Sequence, residues 1–425
     1  MNRLLYTLLF TLAQPLIWIR LAWRAHKQPE YLQHVGERYG FYPTKPGAPL
    51  LWLHVVSVGE TRAAEPLIKA LLDEYPRHTL LLTHMTPTGR ATGGELITKL
   101  GERLIQAYLP YDLPGACNRF FEHFKPQLGL LMETELWPNL IATAKAHSIP
   151  LALVNARLSA RSQRGYLRFA RLIRPALASL DVVAAQTAAD AERLTTIGAQ
   201  RVSTVGNIKF DVTPSAEKCA LGAEWRRALG DRSIWLAAST REGEEPLILE
   251  AFARLQRPDL LLLLVPRHPQ RFGEVAALVR ERKLALCRRS EGSPPTAETR
   301  VWLGDSMGEM PAYFSVADIA LIGGTLLPFG GQNLIEAAAC GCPVLVGPHT
   351  FNFLQATEDS IASGAAKRIA DADEAASAVK KLLEDREALR AMKQAALEFS
   401  QAHRGATART MGLIREAMAQ HKRIV

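Results

Sequence analysis

A regular alternation of short apolar runs and helical stretches is the feature that most constrains what this chain can fold into. Between residues 50 and 204, apolar runs rich in Leu, Val and Ile alternate with stretches of helical character. Strands that alternate with helices predict a parallel sheet with right-handed crossover connections. We expect strands at residues 50–57, 80–83, 106–109, 128–132, 150–154, 182–185 and 202–204, with helices at 63–72 and 136–146.

The same alternation restarts near residue 234, after a stretch at 213–220 that we interpret as a linker because it contains Pro214. A chain of 425 residues is long enough for two domains of ordinary size. We therefore predict two Rossmann-like α/β domains that face a cleft at the carboxyl ends of their strands, where open sheets bind ligands. Further strands are expected at 234–238, 260–265, 301–303, 319–322 and 344–346, and helices at 244–253, 272–282 and 374–420.

Composition excludes several classes of protein. The chain is 48% hydrophobic and 22% charged, which is ordinary for a globular protein and excludes a disordered or collagen-like chain. Five cysteines without a C-x-x-C pair favour reduced thiols in a cytoplasmic compartment. No G-x-G-x-x-G or Walker A sequence follows the first strand of either half. The sequence therefore lacks the main evidence for an NAD-binding protein or a P-loop ATP-binding protein.

The amino terminus carries a single apolar stretch, Leu4–Ile19. Its 16 residues are a few short of the roughly 20 that span a bilayer. More basic residues follow it than precede it, which would keep the rest of the chain cytoplasmic, and no small-residue cleavage site of a signal peptide follows. We predict a membrane-anchoring segment at residues 1–25; the alternative is a buried helix of the globular fold.

Basic charge is concentrated in the first half. Residues 1–210 hold 24 Lys and Arg against 15 Asp and Glu, whereas residues 211–425 hold 27 of each. We expect an arginine face that contacts the phosphates of an anionic membrane or substrate, the alternative being a solvated basic helix. No nucleic-acid-binding signature accompanies it, so we do not expect a nucleic-acid partner. The face comprises residues at a spacing of three or four: Arg157, Arg161, Arg164, Arg168, Arg171 and Arg174.

Three carboxylates and one lysine are candidate catalytic groups in the first half. Glu60 follows the first strand, where it could accept a proton from a hydroxyl or only complement a helix dipole. Glu133 and Glu135 follow the strand at 128–132, where a catalytic role competes with helix capping. Lys209 precedes the linker and could stabilise developing negative charge, or could simply be solvated.

Loops that follow the strands of the second half are candidate anion sites, because glycines expose backbone N–H groups before a helix. Arg267 follows the second of these strands and could bind a phosphate with two hydrogen bonds. The strongest signal is the glycine-rich segment 323–338, whose Glu336 could accept hydrogen bonds from ribose hydroxyls. The other two loops lie at 239–244 and 304–310.

The chain carries many long motifs in order: WIRLAWR (18–24), GERYGFY (36–42), HVVSVGET (54–61), MTPTG (85–89), LPYDLP (109–114), METELWPN (132–139), NARLSARS (155–162), KFD (209–211), STREGEE (239–245), VPRHPQRF (265–272), GDSMGEM (304–310) and GPHTFNF (347–353). In this order they closely resemble the 3-deoxy-D-manno-octulosonic acid (Kdo) transferases of lipopolysaccharide assembly, over the whole chain. Gln332 and Arg241 stand where some members have His; Gln332 affects fine donor contacts only, and Arg241 adds charge near the donor.

This resemblance implies a B-type glycosyltransferase fold with an anchoring segment at 1–25, an acceptor domain at 26–212 and a donor domain at 213–425. It implies inverting transfer of Kdo from CMP-Kdo to a lipid A precursor (lipid IVA) at the cytoplasmic face of the inner membrane, with no metal at the transfer site and no cofactor. Glu60 matches the general base, and Glu133 and Lys209 match stabilisers of the transition state. The matches to CMP-binding positions are Pro266, Arg267, Met307, Gly308, Glu309, Asn333, Leu334, Ile335 and Glu336.

Three other functions remain open on the residues alone. The first is a B-type transferase that uses another activated sugar, which a preference for cytidine over uridine nucleotides would exclude. The second is a membrane-bound nucleotide-binding protein without transferase activity, which product formation would exclude. The third is a nucleic-acid-binding protein, which predicts tight and salt-sensitive binding through the arginine face.

Overall fold

The chain forms two compact units, described in a computed structural model that covers residues 1–43, 47 and 49–424. The first unit comprises Met1–Asp211 and Arg404–Val425, and the second comprises Val212–His403. Each unit is built on a parallel seven-stranded sheet between helices. The prediction of two α/β domains with parallel sheets is therefore confirmed.

The first sheet has the strand order β3-β2-β1-β4-β5-β6-β7. Its strands are β1 Leu50–His54, β2 Thr79–His84, β3 Leu104–Tyr108, β4 Leu128–Met132, β5 Leu151–Ala156, β6 Val182–Ala185 and β7 Val202–Thr204. Strand β1 is central and pairs with β2 on one side and with β4 on the other. The order reverses between β1 and β4, so a crevice opens there beyond the carboxyl ends of the strands.

Alternate residues of the central strand serve the two faces of this sheet. Leu50 and Trp52 belong to one buried cluster, and Leu51 and Leu53 belong to the other.

The helices before the second unit are α1 Arg3–Leu12, α2 Gln14–Lys27, α3 Val58–Ala63, α4 Glu65–Glu74, α5 Pro87–Leu100, α6 Pro114–Phe124, α7 Pro138–Ala146, α8 Ala160–Arg168, α9 Ala170–Ala178 and α10 Ala188–Thr196. Short 3-10 helices lie at Pro29–Leu32, Val35–Tyr39 and Ile208–Asp211.

The second sheet repeats the plan with the order β10-β11-β9-β8-β12-β13-β14 and reverses between β8 and β12. Its strands are β8 Ile234–Thr240, β9 Leu261–Pro266, β10 Leu286–Arg288, β11 Val301–Leu303, β12 Ile319–Ile322, β13 Val344–Val346 and β14 Ala366–Arg368. Its helices are α11 Ala216–Leu229, α12 Glu244–Arg254, α13 Phe272–Glu281, α14 Met310–Val316, α15 Ile335–Ala339, α16 Leu354–Ala362, α17 Ala372–Glu384 and α18 Arg386–Ala402, with 3-10 helices at Pro269–Arg271 and Arg289–Glu291.

The last helix, α19 Ala406–Ile424, belongs to the first unit. Its Met411 and Ile414 are buried in the same cluster as β1 and α4, and the Asp211 carboxylate accepts a hydrogen bond of 2.6 Å from Gly405 N. The expectation that 213–425 forms one domain is therefore wrong for these last residues. The sequence could not show this because the helix is amphipathic whichever sheet it covers.

Two helices replace the single amino-terminal segment that the apolar stretch predicts. Helices α1 and α2 meet at 50°, and Pro15 stands in the first turn of the second. Within the described residues no one helix has both the length and the apolarity to cross a bilayer, and only this bent pair meets that criterion when counted together. Thr7 and Asn139 are hydrogen-bonded at 2.9 Å, which ties α1 to α7, while the leucines on the other side of α1 are exposed.

Local breaks account for several other differences from the predicted elements. The predicted helix at 63–72 is divided between α3 and α4, because Pro66 stands in the first turn of α4. The regular spacing of the arginines predicts one continuous helix. This prediction is also wrong, because the helix is broken at Phe169 between α8 and α9. Strands β10 and β14 were not predicted, because they are three-residue edge strands without a buried apolar run.

Candidate functional site

The first candidate site is built where β1 ends and α3 begins. Ser57 caps α3 by accepting a hydrogen bond from Glu60 N, and Glu60 Oε1 accepts one from Ser57 Oγ at 3.2 Å. Glu60 Oε2 also accepts a hydrogen bond of 2.8 Å from Val56 N. This reciprocal arrangement is close to a capping box, and it fixes the Glu60 side chain over the end of the central strand.

Burial and charge make Glu60 a stronger base than a solvated glutamate. Desolvation is the largest cause that raises the pKa of Glu60, and the negative charge of Glu133 raises it further. The hydrogen bonds from Val56 and Ser57 and the charge of Lys209 oppose the rise without cancelling it. The same contacts fit the alternative role of Glu60 at the helix terminus, so local geometry alone does not separate the two.

Glu133 stands at the end of β4 in a strained backbone conformation. Its φ is +59°, in the left-handed region that non-glycine residues rarely adopt, at a cost of about 1–3 kcal/mol. Glu133 Oε1 lies 3.2 Å from Lys209 Nζ, and its Oε2 lies 2.9 Å from the Arg157 guanidinium. Both oxygens of this buried carboxylate therefore bind cations.

Glu135 lies in the same loop and has a different environment. Its Oε2 accepts a hydrogen bond of 2.9 Å from Trp137 Nε1. Burial first, and then the charge of Glu60, raise the pKa of Glu135 to about 7. Burial, and then the charge of Glu135, raises the pKa of Tyr166 on α8. The first site thus contains three interacting carboxylates beside two cations.

This set can remove a proton from a hydroxyl and stabilise nearby charge. Strand order places it at the crevice of the first sheet, since Glu60 follows β1 and Glu133 follows β4. A separate groove of about 560 Å³ lies between Lys125, His147 and Met418, at the opposite edge where β4 and β5 begin. The length of the strands separates this groove from the carboxylates, so we assign it no part in the chemistry.

The second candidate site begins with a buried carboxylate that holds two loops together. Glu244, the first residue of α12, accepts hydrogen bonds from Arg241 N at 2.8 Å, Gly324 N at 2.7 Å and Leu326 N at 3.0 Å. These bonds join the loop after β8 to the loop after β12 across the point where the strand order reverses. Gly323 is required there, because a Cβ at this position would lie 2.3 Å from the Ser239 carbonyl oxygen.

Arginines gather beside these loops. Burial and then the positive charges of nearby Arg241, Arg267 and Arg271 lower the pKa of His268. Arg271 is held by buried Glu245 at 2.7 Å, and Arg267 Nε donates to Gln332 Oε1 at 3.2 Å. Such a cluster favours an anionic ligand at the carboxyl end of the sheet.

Glu336 is a half-buried carboxylate on the short helix α15. Burial raises its pKa, and the described part of the chain supplies no hydrogen-bond donor to it. A carboxylate in this state can accept hydrogen bonds from a ligand hydroxyl. Asn333 is half-buried and caps Ile335 N, whereas the side chains of Leu334 and Ile335 are in the core.

The loop after β11 leaves Met307 and Gly308 exposed. Glu309 is bound by Arg289 at 3.1 Å, and the Ser306 hydroxyl donates to it at 2.5 Å. Asp305 is held in turn by Arg288. The acidic residues of this segment are thus occupied within the protein, so a ligand here would meet mainly backbone groups and Met307.

The structure brings together some of the predicted residues and redistributes others. Glu60, Glu133 and Lys209 form one electrostatic cluster in the first unit. Arg157 does not share the exposed helical surface of the other arginines, because it precedes α8 and pairs with Glu133. The remaining five, Arg161, Arg164, Arg168, Arg171 and Arg174, are exposed on α8 and α9. Of the second-unit residues, Pro266, Leu334 and Ile335 are buried, so only their backbone could meet a ligand.

Sequence reasoning missed the role of Glu244 as the clamp between loops and left Glu135 undecided. The first was hidden because two of its three backbone partners, Gly324 N and Leu326 N, lie 80 or more residues away in the chain. The sequence evidence that came nearest to indicating these roles was the position of each glutamate in a loop that follows a strand. No group of three or more His, Cys, Asp or Glu side chains with metal-ligand geometry occurs within the described ranges.

Comparisons with known proteins agree with this division. The sequence profile of the family described as 3-deoxy-D-manno-octulosonic-acid transferase (kdotransferase) matches residues 33–212. The profile described as glycosyl transferases group 1 matches residues 242–399. The two matches fall on the first and second unit respectively.

Two relatives are similar over almost the whole chain. The 3-deoxy-D-manno-octulosonic acid transferase of Bordetella pertussis is 46% identical over 98% of this chain and 99% of its own. The protein of the same name from Haemophilus influenzae is 38% identical over 98% of each chain. Similarity of this extent shows the family.

Solved structures show the same fold at low identity. A glycosyltransferase from Rickettsia africae matches 88% of this chain and 99% of its own, with a TM-score of 0.57 and 14% identity. Anabaena Alr3699/HepE in complex with UDP matches 88% of this chain and all of its own, with a TM-score of 0.56 and 15% identity. At such identities the likeness concerns the fold alone.

Proposed function

The chain belongs to the 3-deoxy-D-manno-octulosonic acid (Kdo) transferase family, and on that basis we propose that it transfers Kdo from CMP-Kdo to a sugar hydroxyl of a lipid A precursor in lipopolysaccharide assembly. The observation that carries the proposal is the grouping of Glu60, Glu133 and Lys209 at the crevice of the first sheet. A hydroxyl is a poor nucleophile and requires a base, and this grouping contains one suitable carboxylate.

Glu60 is the proposed base. Its carboxylate takes the proton of the acceptor hydroxyl while the hydroxyl oxygen forms a bond to the anomeric carbon of Kdo. The bond from that carbon to the phosphate oxygen of CMP breaks, and CMP leaves with the electron pair. A single displacement opposite to CMP inverts the anomeric configuration. The raised pKa of Glu60 supports this assignment, because a stronger base accepts the proton more readily.

Glu133 and Lys209 are proposed to stabilise the transition state. Glu133 is occupied by Lys209 and Arg157, so it serves to orient the two cations and not to accept the proton. Lys209, whose side chain is 25% exposed, can meet negative charge that develops as CMP leaves. We expect no metal ion or cofactor at this step, since lysine and arginine side chains can neutralise that charge.

The second unit is proposed to bind CMP-Kdo. This donor carries a phosphate and a sugar carboxylate, and the cluster of Arg241, Arg267 and Arg271 offers the complementary charge. Glu336, whose carboxylate receives no hydrogen bond from the residues that the structure describes, is suited to the ribose hydroxyls. The remaining predicted donor positions complete the proposed contacts, with Pro266, Leu334 and Ile335 acting through their backbone groups only: Pro266, Met307, Gly308, Glu309, Asn333, Leu334 and Ile335.

Attachment to the cytoplasmic face of the inner membrane is also proposed. Leu4 and Leu12 on α1 are 79% and 68% exposed, and Trp23 on α2 is 69% exposed. Such apolar side chains favour insertion into a lipid surface, where the arginines of α8 and α9 can meet lipid phosphates. We expect the protein to float with vesicles that contain phosphatidylglycerol, and expect replacement of Leu4, Leu8 and Leu12 by Gln to reduce that binding.

Mass spectrometry of the lipid product tests the proposed reaction. Purified protein is incubated in detergent with a tetra-acylated lipid A precursor and CMP-Kdo generated in situ, and EDTA is added for the transfer step. We expect the lipid to gain one or more Kdo units with the unmodified protein and with Glu95→Gln, a control at an exposed glutamate of α5. Glu60→Gln should reduce product at least 100-fold.

No product from the unmodified protein with fresh donor would refute the Kdo assignment. Equal product from Glu60→Gln and Glu95→Gln would refute the role of Glu60 and leave the transfer reaction standing. Loss of product on addition of EDTA would refute the expected independence from metal. The number of units on the lipid would also define the reaction more closely.

A further inference from the structure

Lys209 lies on a very short helix whose orientation depends on what holds its ends. The 3-10 helix Ile208–Asp211 has only four residues, and helices of this kind have poor internal hydrogen bonds. Ile208 supplies the first N–H of the helix, which has no partner within the helix itself. That N–H donates a hydrogen bond of 3.0 Å to Oδ1 of buried Asn155. Asn155 therefore holds the residue that immediately precedes Lys209.

An irregularity in β5 places Asn155 where it can make this contact. Strand β5 pairs with β6 through Leu153 and Val183, but the next pair is Ala156 with Ala185, so β5 contains one extra residue. Asn155 lies in this interval with a φ of +51°, in the left-handed region that asparagine tolerates better than most residues. Its side chain is fully buried. Because such an irregularity changes the direction of a side chain, it allows the amide to reach the 3-10 helix.

The same end of β5 also holds Glu133, the partner of Lys209. Glu133 N donates a hydrogen bond of 2.9 Å to the carbonyl oxygen of Val154. Arg157, two residues after Asn155, binds Glu133 Oε2 at 2.9 Å, while Lys209 Nζ lies 3.2 Å from Oε1. One short segment of chain therefore fixes the carboxylate on one side and the helix that bears the lysine on the other.

We propose that Asn155 is a positioning residue of the transfer reaction, which keeps Lys209 opposite Glu133 by accepting the hydrogen bond from Ile208 N. This inference rests on the proposed function of Lys209. The Asn155 amide is neutral and binds a backbone group, so it acts on the lysine through position and not through charge. A charged group stabilises a transition state best when it is already in place, because reorganisation then costs nothing during the reaction.

Kinetics of Asn155→Gly test this role. Glycine adopts a positive φ without strain, so the substitution keeps the backbone and removes only the acceptor of the Ile208 N–H. We expect kcat to fall about tenfold, with the KM for CMP-Kdo changed by less than about twofold, because the lysine is displaced and not removed. Lys125→Gly is the matched control, since Lys125 is exposed and has a φ of +43° after α6. Its kcat should stay within about twofold.

A double variant separates positioning of Lys209 from a general structural role. In protein that already carries Lys209→Met, the further substitution Asn155→Gly should change kcat by less than about twofold, because the charge that Asn155 positions is gone. A further tenfold loss in the double variant would overturn the inference, since Asn155 would then act on the reaction without Lys209.

Hydrogen exchange without substrate tests the contact independently of activity. We expect the Ile208 amide to exchange at least tenfold faster in Asn155→Gly than in the unmodified protein or Lys125→Gly, with exchange in β4 and β5 unchanged. Unchanged exchange at Ile208, or faster exchange throughout β5, would overturn the inference. Faster exchange at Ile208 with an unchanged kcat would also overturn it. Absence of transfer by the unmodified protein would instead overturn the proposed function itself.

Discussion

Lys209 and Glu133 form an ion pair, with 3.2 Å between Nζ and Oε1, although 76 residues separate them in the chain. Glu133 follows β4, while Lys209 lies on the 3-10 helix after β7. Glu133 is 10% exposed and also binds Arg157, so the lysine and the arginine share one buried acceptor. Removal of either partner therefore disturbs the other, which makes them one functional unit.

Loss of either partner of this ion pair should reduce the rate of transfer, and the effects of the two single substitutions should not add in the double variant. We expect Lys209→Met and Glu133→Gln each to lower kcat about 100-fold, because each removes preorganised charge near the reacting groups. The double variant should lose about as much as either single one, since the residues act together. Lys69→Met, at a half-exposed lysine that pairs with Glu65, is the control and should stay within about twofold. A double variant whose loss equals the product of the single losses would contradict this prediction.

Glu336→Gln should weaken nucleotide binding and stabilise the empty protein. The folded-state pKa of Glu336 is raised above its unfolded value of 4.5, so the folded state binds more protons and loses stability as pH rises through the raised pKa. We expect the variant to be more stable than the unmodified protein at pH 8 and equally stable at pH 4. CMP affinity should fall about tenfold, through loss of hydrogen bonds to a charged acceptor.

Urea unfolding at the two pH values and calorimetry with CMP measure both effects of Glu336→Gln. Glu384→Gln, at an exposed glutamate of α17, is the matched control and should change neither quantity. Unchanged CMP affinity in Glu336→Gln would remove Glu336 from the donor site.

Glu244→Ala should destabilise the second unit. The substitution leaves three N–H groups without their acceptor, at Arg241, Gly324 and Leu326, and we expect a cost of about 3 kcal/mol. Glu242→Ala, two residues earlier and exposed, should change stability by less than about 0.5 kcal/mol. Urea unfolding compares the two variants, and equal stabilities would show that the carboxylate does not hold the loops.

The first unit should lose stability in mild acid because it buries neutral His54. Burial, with a smaller effect of His84, lowers the pKa of His54 from 6.5 to about 3, so the folded state binds fewer protons than the unfolded chain between these values. The contribution of His54 is complete above pH 6.5 and falls as pH decreases toward about 3. Between pH 7 and pH 5 this loss is about 2 kcal/mol.

His54→Gln should remove that part of the pH dependence. His26→Gln, at an exposed histidine of α2, should keep it. Unfolding free energies at pH 5, 6 and 7 give the slopes for each protein. The same slope in His54→Gln and in the unmodified protein would mean that other groups cause the acid sensitivity.

The sequence predicted the candidate site residues at strand ends better than it predicted their partners. Glu60, Glu133 and Lys209 were identified because apolar strands define where each loop begins. Their neighbours depend on strand order, which places β4 beside β1 although β2 and β3 lie between them in the chain. The pairing of Arg157 with Glu133 follows from this order too, and helical spacing led instead to a shared arginine face.

The sequence by itself determined the alternation of strands and helices, the restart near residue 234 and the strand-end positions of the candidate residues. These features depend on periodicity and turn chemistry, which are local properties of the chain. Only the tertiary structure decided that α19 returns to the first unit, that Glu244 joins two loops, and that Glu133 binds both Lys209 and Arg157. Each of these depends on contacts between distant segments, whose choice is made by packing and by the pairing of buried charge.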